Sequence, residues 1–486
     1  RKLAMPSSFG SIELDVQAGR QRHSGPPEPD TPFRIAVLGD FSGRENRGIV
    51  DTDIAARKTF RIDRDNIDQV LARIQPQLCL PEAGTIRFSE FEDFHPDRLY
   101  ALPLFRMIEQ GAQAAPRPVT AVPEAATTPA PAPKRRISLD ELLDSTEERG
   151  LARRPADDLS RIVDEIVRPH LVPKPDPAQV ETQSAMEAAA SECMRTVLHN
   201  PAFKALEAAW QGVFFLIRRL ETGTDLQVHL IDISKAEIAA DLLPADDLRH
   251  TGLWRLMVEK TVGTPGAVPW SVIACDYWFD SSLDDVDLLA RLAMLARAAG
   301  APVIAGASPK IVGASSLRDQ PRPEAWHPDP VSSGYWARLR QMPEAAWAGL
   351  ALPRFLLRMP YGAGSNAIES FGFEEFAGAP EHEEYLWGNP AFACACLLGQ
   401  AFTQAGWSMA PGMVREIAGL PAHTYREDGE TVLKPCAEVL LTEYAADAMF
   451  ELGLMPLASL KGRDAVRLLR FQSIADPPSA LAGPWE

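Results

Sequence analysis

Between residues 201 and 219 the apolar side chains Phe203, Leu206, Trp210, Val213, Phe214 and Ile217 recur at intervals of three and four, and Pro201 suits a first turn. That spacing predicts a long amphipathic helix. The same reading predicts a helix over 284–299, where Val286, Leu289, Leu292 and Leu295 repeat and Gly300 stops the run. Short apolar runs at 226–233, 271–275 and 302–307 predict strands, the second bounded by Pro269 and Asp276. A strand, a helix and a further strand in immediate succession make a parallel crossover unit. The fold class read from this order is α/β with a mixed sheet.

The N-terminal region carries a smaller version of the pattern. FRIAVL at 33–38 predicts a strand, Ile67, Val70, Leu71 and Ile74 predict a helix over about 64–75, and 85–88 predicts a second strand. Residues 111–136 are rich in Ala, Pro and Thr and end in Lys134, Arg135 and Arg136. Such a composition cannot bury enough apolar surface to offset chain entropy, so it predicts a disordered linker. The organisation expected is a small α/β domain (1–110), that linker, a helical region (137–225), a larger α/β domain (226–473) and a Pro-rich tail (474–486). The two bodies are then tethered.

Bulk properties narrow the function. A chain of 486 residues can bury a large core, and a net charge of -17 offers neither nucleic acid nor an anionic membrane the positive footprint it needs. Six scattered cysteines, with Cys394 and Cys396 the one close pair, read as reduced thiols of a cytosolic protein. No apolar run is long enough to span a bilayer, and RKLAMPSSFG lacks a signal-peptide core. Numbering from Arg1 leaves two expectations: residues that precede it, or a natural start at Met5.

Catalytic patterns are weak. GDFSGRENRG at 39–48 follows a strand but lacks the lysine and Ser/Thr of a phosphate loop, so a tight turn is expected. His382, Glu383 and Glu384 begin like a zinc-protease helix, yet the position four after His382 is Leu386; a solvated charged loop is the expectation. His199, His229, His250, His327 and His423 stand alone in sequence and read as polar packing residues, and Ser308 and Ser365 complete no nucleophile elbow. Trp254, Trp270, Tyr277, Trp278, Trp336, Trp347, Trp387 and Trp407 read either as core packing or as the anchors of large protein interfaces.

The strongest local feature is LPRFLLRMPYG (352–362), followed by YLWGN (385–389). If the stretch between Pro353 and Pro360 is helical, Arg354 and Arg358 share a face, and guanidinium groups in such apolar company need carboxylates. Glu374 and Glu375 of FEEF are the first candidates, with Glu381, Glu383 and Glu384 close behind, from the same chain or a neighbouring one. The ion pairs are thus candidates for either an internal network or an assembly contact. No cofactor and no catalytic or metal-binding residue is assigned.

These residues carry a family resemblance. HNPAFKALEAAWQG (199–212), IDISKAE (231–237), IACDYWF (273–279), PVIAGASP (302–309), LPRFLLRMPYG, YLWGN and GLPAHTY (419–425) resemble, in order, the large subunit of the contractile sheath of bacterial type VI secretion systems. IAVLGDFSGR (35–44), IDRDNIDQVL (62–71) and FEDFHPDRL (91–99) are similar to the small sheath subunit. The chain resembles a fusion of the two. The resemblance implies a non-enzymatic, cytoplasmic structural protein whose partners are sheath subunits or copies of itself, with the baseplate or inner tube further candidates. It gives Trp210, Trp387, Asn389 and Asp40 packing roles within the motifs. Large subunits of the family continue past the position of Phe471 into strands that lock neighbouring protomers, and small subunits carry later helices; this chain departs from both patterns. Three expectations follow: a sheath-associated component limited in lattice propagation, a self-sufficient fused protomer and, last in order, an uncharacterised enzyme.

Overall fold

The computed structural model describes residues 27–114 and 177–485, apart from 82, 263 and 428. The linker expected over 111–136 lies outside them except for 111–114, which end the helix Pro103–Ala114. Chain contacts define two units: one comprises the described residues up to Phe105 together with Ala190–Glu486, the other Arg106–Ala189. In the second, the described residues are helical, completing Pro103–Ala114 and opening Pro177–Leu198.

The first unit is built on one sheet. Its strands are β1 (Phe33–Gly39), β2 (Thr59–Ile62), β5 (Leu226–Asp232), β6 (Val272–Phe279), β7 (Val303–Ala307), β8 (Ala348–Leu352), β11 (Glu416–Ile417), β14 (Leu454–Ser459) and β15 (Val466–Leu468). Three two-stranded ladders complete the set: β3 (Gln77–Leu80) with β4 (Gly84–Arg87), β9 (Phe355–Leu356) with β10 (Trp387–Gly388), and β12 (Thr424–Glu427) with β13 (Glu430–Leu433). The nine-stranded order is β11-β15-β14-β8-β7-β6-β1-β5-β2. From β14 to β5 every neighbour is parallel; β2, β15 and β11 pair antiparallel at the two margins. The mixed α/β sheet is the class read from the sequence.

Its membership is not. The strand at 33–38, assigned from sequence to a separate small domain, pairs with β5 on one side (Ile35 opposite Val228) and β6 on the other (Ile35 opposite Val272). A strand buried at six of its seven residues needs apolar cover on both faces, and a short N-terminal segment cannot supply it. The two bodies expected on a tether therefore share one sheet. The strand expected at 85–88 falls at β4, in the hairpin with β3, and β2 had no counterpart in the reading.

Helices cover both faces. Alternate strand residues such as Leu38, Cys275, Ala305 and Leu350 join one buried cluster with Val286, Leu289 and Leu292 of the helix Leu283–Ala299. The helix Pro390–Ala405, apolar all round, packs against β1, β6, β7 and β8 and against the helix Pro201–Arg219. Both of these helices open on the same four residues, Asn-Pro-Ala-Phe. Asn200 Oδ1 accepts from Ala202 N at 3.0 Å and Asn389 Oδ1 from Ala391 N at 2.9 Å, while Pro occupies the position that needs no donor. The residues set apart as a tail pack back: Ile474 and Leu481 are fully buried, and Asp476 N and Ala482 N donate to Arg340 and Ala346 carbonyls.

Candidate functional site

The segment 353–360 is not helical. Phe355 and Leu356 form β9 and pair antiparallel with Gly388 and Trp387, so LPRFLLRMPYG and YLWGN are two sides of one small ladder. An extended chain sends Arg354 and Arg358 to different neighbours, and each builds its own cluster.

Arg358 lies among Glu207, from the buried face of the Pro201–Arg219 helix, and Glu375. Nε donates to Glu207 Oε1 at 2.6 Å and Nη2 to Glu207 Oε2 at 3.3 Å. Nη1 and Nη2 donate to Glu375 Oε2 and Oε1 at 2.8 and 3.1 Å, and Nη1 also reaches the Met359 carbonyl at 3.1 Å. All five guanidinium donors are therefore engaged. The Tyr361 ring lies 4.3 Å from the guanidinium carbon, and Tyr361 N donates to Glu375 Oε2 at 2.7 Å. Both carboxylate side chains are at most 1% exposed. Burial works against the charge of Arg358, and the two carboxylates overcome it and hold its pKa above the ordinary range. Glu374, expected beside the arginines, instead accepts from Ala363 N at 2.9 Å and closes the loop after Gly362.

Arg354 joins Glu438 and Glu383. Nε donates to Glu438 Oε1 at 2.7 Å, Nη1 and Nη2 to Glu383 at 3.0 and 2.8 Å, and Nη2 also contacts Glu438 Oε1. The backbones join in: Arg354 N donates to Glu438 Oε2 at 3.0 Å and Glu438 N to the Arg354 carbonyl at 3.1 Å. His382, expected in a solvated loop, is buried at 4% exposure because it sits between two charged groups that water does not reach. Its Nε2 lies 3.2 Å from Glu438 Oε1, and Lys434 Nζ lies 3.0 Å from its Nδ1. Lys donates only, which fixes the tautomer with the proton on Nε2. Burial pulls Lys434 down to about 8, with Arg318 adding to the effect and Glu438 and Glu383 opposing it. His382, Glu383 and Glu438 have the spacing to hold a metal ion, their ligand atoms lying within 4.8 Å of one another. The guanidinium of Arg354 already stands among them as the cation.

The motif residues pack as follows. Trp210 is fully buried and donates from Nε1 to the Phe41 carbonyl at 2.9 Å, tying the Pro201–Arg219 helix to the turn after β1. Asp40 accepts from Arg44 N and Glu45 N at 2.8 and 2.9 Å, so the glycine-bearing stretch after β1 folds as turns. Trp387 Nε1 donates to the His382 carbonyl at 2.8 Å, and Asn389 Nδ2 to the Tyr277 carbonyl at 2.9 Å. Each of the eight aromatic residues singled out in the sequence is buried or half-buried.

Asp40, Arg354, Glu383, Trp387, Asn389 and Glu438 border a cleft of about 910 Å³ at the C-terminal ends of β1, β6, β7 and β8. Chain order reverses between β1 and β6, the position where open α/β sheets form a crevice. Asp276 in its wall is pushed up to about 7 by burial, with the Asn389 amide opposing and the Asp40 and Glu45 carboxylates adding to the rise. Three mutually repelling carboxylates and an amide hold a proton; they do not make a nucleophile–base pair.

Sequence reasoning missed Glu207, Glu438 and Lys434. Glu207 carried a signal: it follows Leu206 and precedes Trp210 on the apolar stripe of its helix, and a carboxylate there requires a buried cation. Glu438, between Ala437 and Val439, carried the same signal more faintly.

Comparison with known proteins bears on these geometries. The family described as EvpB/VC_A0108, tail sheath N-terminal domain, matches residues 181–475, and that described as type VI secretion system, VipA, VC_A0107 or Hcp2, matches residues 11–102. The type VI secretion system sheath protein TssC1 of Pseudomonas aeruginosa is 31% identical over 302 residues, covering 60% of this chain and 61% of that protein. The chain thus spans less than two thirds of the length of this relative. Among the described residues no helix is long and apolar enough to cross a membrane. The chain belongs to the tail sheath family of type VI secretion, with a segment like the small sheath subunit fused ahead of a segment like the large one.

Proposed function

We propose that the protein is a non-enzymatic, cytoplasmic sheath component in which one chain takes the place of a small-subunit and large-subunit pair, and that its propagation into a lattice is limited. The observation that carries the first part is β1: a strand from the segment that matches the small-subunit family lies between β5 and β6 of the segment that matches the large one. Interleaved strands cannot separate without opening the sheet. Its partners are sheath subunits or further copies of itself, with the baseplate or inner tube as further candidates.

The margins of the sheet support the second part. Strand addition between molecules requires an edge with free backbone donors and acceptors. β2 is four residues long, with Lys58 and Arg61 exposed on it and beside it; β11 is two residues long, and Glu416 on it is tied to Arg463 and Arg467 at 2.9 and 2.8 Å. Short, charged edges resist pairing. The alternative is a self-sufficient protomer that stacks through other surfaces, and the one-chain interleaving of β1 favours that reading too.

Negative-stain electron microscopy of the purified protein, alone and mixed with separately encoded sheath subunits, separates them. Particles that remain small alone but cap or join sheath ends are the expected result. Tubes from the protein alone establish the self-sufficient protomer, and a failure to associate with sheath in either experiment overturns both.

A further inference from the structure

We propose that a second cavity, of about 410 Å³ and separate from the cleft above, is a binding site for a small oxyanion, a phosphate or a carboxylate. Its wall is formed by the starts of β1 and β5 (Arg34, Gln227), the first residue of β2 (Thr59) and the segment leading into β6 (Lys260, Trp270). Nothing in the sheath reading assigns it a ligand.

Three observations converge. The first is charge. The chain carries a net charge of -17, yet this wall holds two cations and no Asp or Glu. The second is that neither cation has a carboxylate partner among the described residues. Arg34 directs Nη1 to the Val268 carbonyl and Nε to His229 Nε2 at 3.5 Å, while Lys260 Nζ donates to the Ala55 carbonyl at 2.6 Å. Arg358 is saturated by two carboxylates, whereas half-buried Arg34 has no acceptor for Nη2 among the described residues. Burial lowers its pKa without an anion to offset the cost. His229 beside it is driven down to about 3 by burial and by Arg34 and Arg61, so it is neutral and adds no charge of its own.

The third observation points to a ligand directly. Trp270 is 3% exposed, and its Nε1 is a buried donor without an acceptor among the described residues. Buried indole N–H groups are ordinarily paired. The ring itself is held in place by the Arg34 guanidinium, 4.1 Å above its centre, and by the edge of His229. An oxyanion seated between Arg34, Lys260 and the indole edge supplies the acceptor that Trp270 lacks and the charge that both cations lack. The cavity volume suits a small molecule and not a folded partner.

The test uses the full chain labelled with 15N at its tryptophan indoles. Inorganic phosphate and succinate are titrated at constant ionic strength, with chloride as the control. The expected result is that one indole resonance, identified by its disappearance in Trp270→Phe, moves downfield and saturates with at least one of the two anions. Which anion acts tells a phosphate site from a carboxylate site. Lys260→Met, at an exposed position that leaves the core intact, is expected to weaken that binding on the order of 10-fold, as loss of a charged hydrogen bond does; Arg34→Met is expected to abolish it. A Trp270 resonance that responds to neither anion beyond the chloride control overturns the proposal. So does a response of unchanged affinity in Lys260→Met, which keeps the test decisive should Arg34→Met fail to fold.

Discussion

A guanidinium offers five N–H donors, and every one of those on Arg358 ends on an acceptor of the same chain. Removing it leaves Glu207 and Glu375, each at most 1% exposed, without the guanidinium that both pair with. Arg358→Met is therefore expected to cost about 3–5 kcal/mol in urea denaturation of the isolated protein. Arg354 is different: its partner Glu383 is 68% exposed, so water recovers part of what is lost. Arg354→Met is expected to cost about 1–2 kcal/mol. A loss at Arg358 no larger than at Arg354 contradicts the internal role. Lys434 adds a pH signature. Its pKa falls from the ordinary lysine range to about 8 in the fold, so between pH 8 and the unfolded value near 10.4 the unfolded chain binds the extra proton. Stability relative to Lys434→Met is then expected to rise with pH across that window, by on the order of 1–3 kcal/mol; a flat difference between the two proteins refutes the shift.

Helix on helix, the decisive contact is a missing side chain. Gly212 in Pro201–Arg219 lets the Phe392 ring of Pro390–Ala405 lie where a Cβ would stand, and Phe392 is itself 1% exposed with nowhere to move. Alanine gains about 1 kcal/mol of helix propensity, but overpacking costs more, so Gly212→Ala is expected to lower stability by about 1–2 kcal/mol net. Gly334, in the helix Pro330–Arg340, has open space at the same position, and Gly334→Ala is expected to raise stability by up to about 1 kcal/mol. Thermal denaturation of both variants checks the pair of signs. The elements themselves show what was legible. Pro201–Arg219 and Leu283–Ala299 could be read from sequence because period, first turn and stop agreed. β2 could not, since only Ile62 of its four residues is buried and an edge strand leaves little apolar pattern. The arginine partners were half legible: Glu375 lies 17 residues from Arg358, whereas Glu207 lies 151 away and Glu438 lies 84 from Arg354. Spacing along the chain can suggest a neighbour only when the chain turns back locally.

Over the whole molecule the same limit hid the most consequential feature. FRIAVLG announces a strand but not its partners, because two parallel neighbours arrive from a distant segment with equally apolar sequences. The sheet joins both family segments, which predicts that neither is stable alone. Residues 177–486 expressed without 1–105 are expected to be insoluble, and co-expression of the two pieces is expected to restore a soluble complex detectable by co-purification. A soluble, cooperatively folded 177–486 piece contradicts this.

The central place of β1 also sets a clock on biosynthesis. Ser42, just beyond that strand, bonds to Asp232 at the end of β5, 190 residues later. At ordinary elongation speeds about 10–40 s separate their synthesis. Throughout that interval FRIAVLG exists as an apolar ribbon with two open sides, the kind of segment that pairs with strangers. Nascent chains on neighbouring ribosomes offer such strangers, so the strand is an aggregation hazard until its partners emerge. Folding of the sheet falls late in the life of the polypeptide, after its first strand has waited for nearly half of the chain to be made.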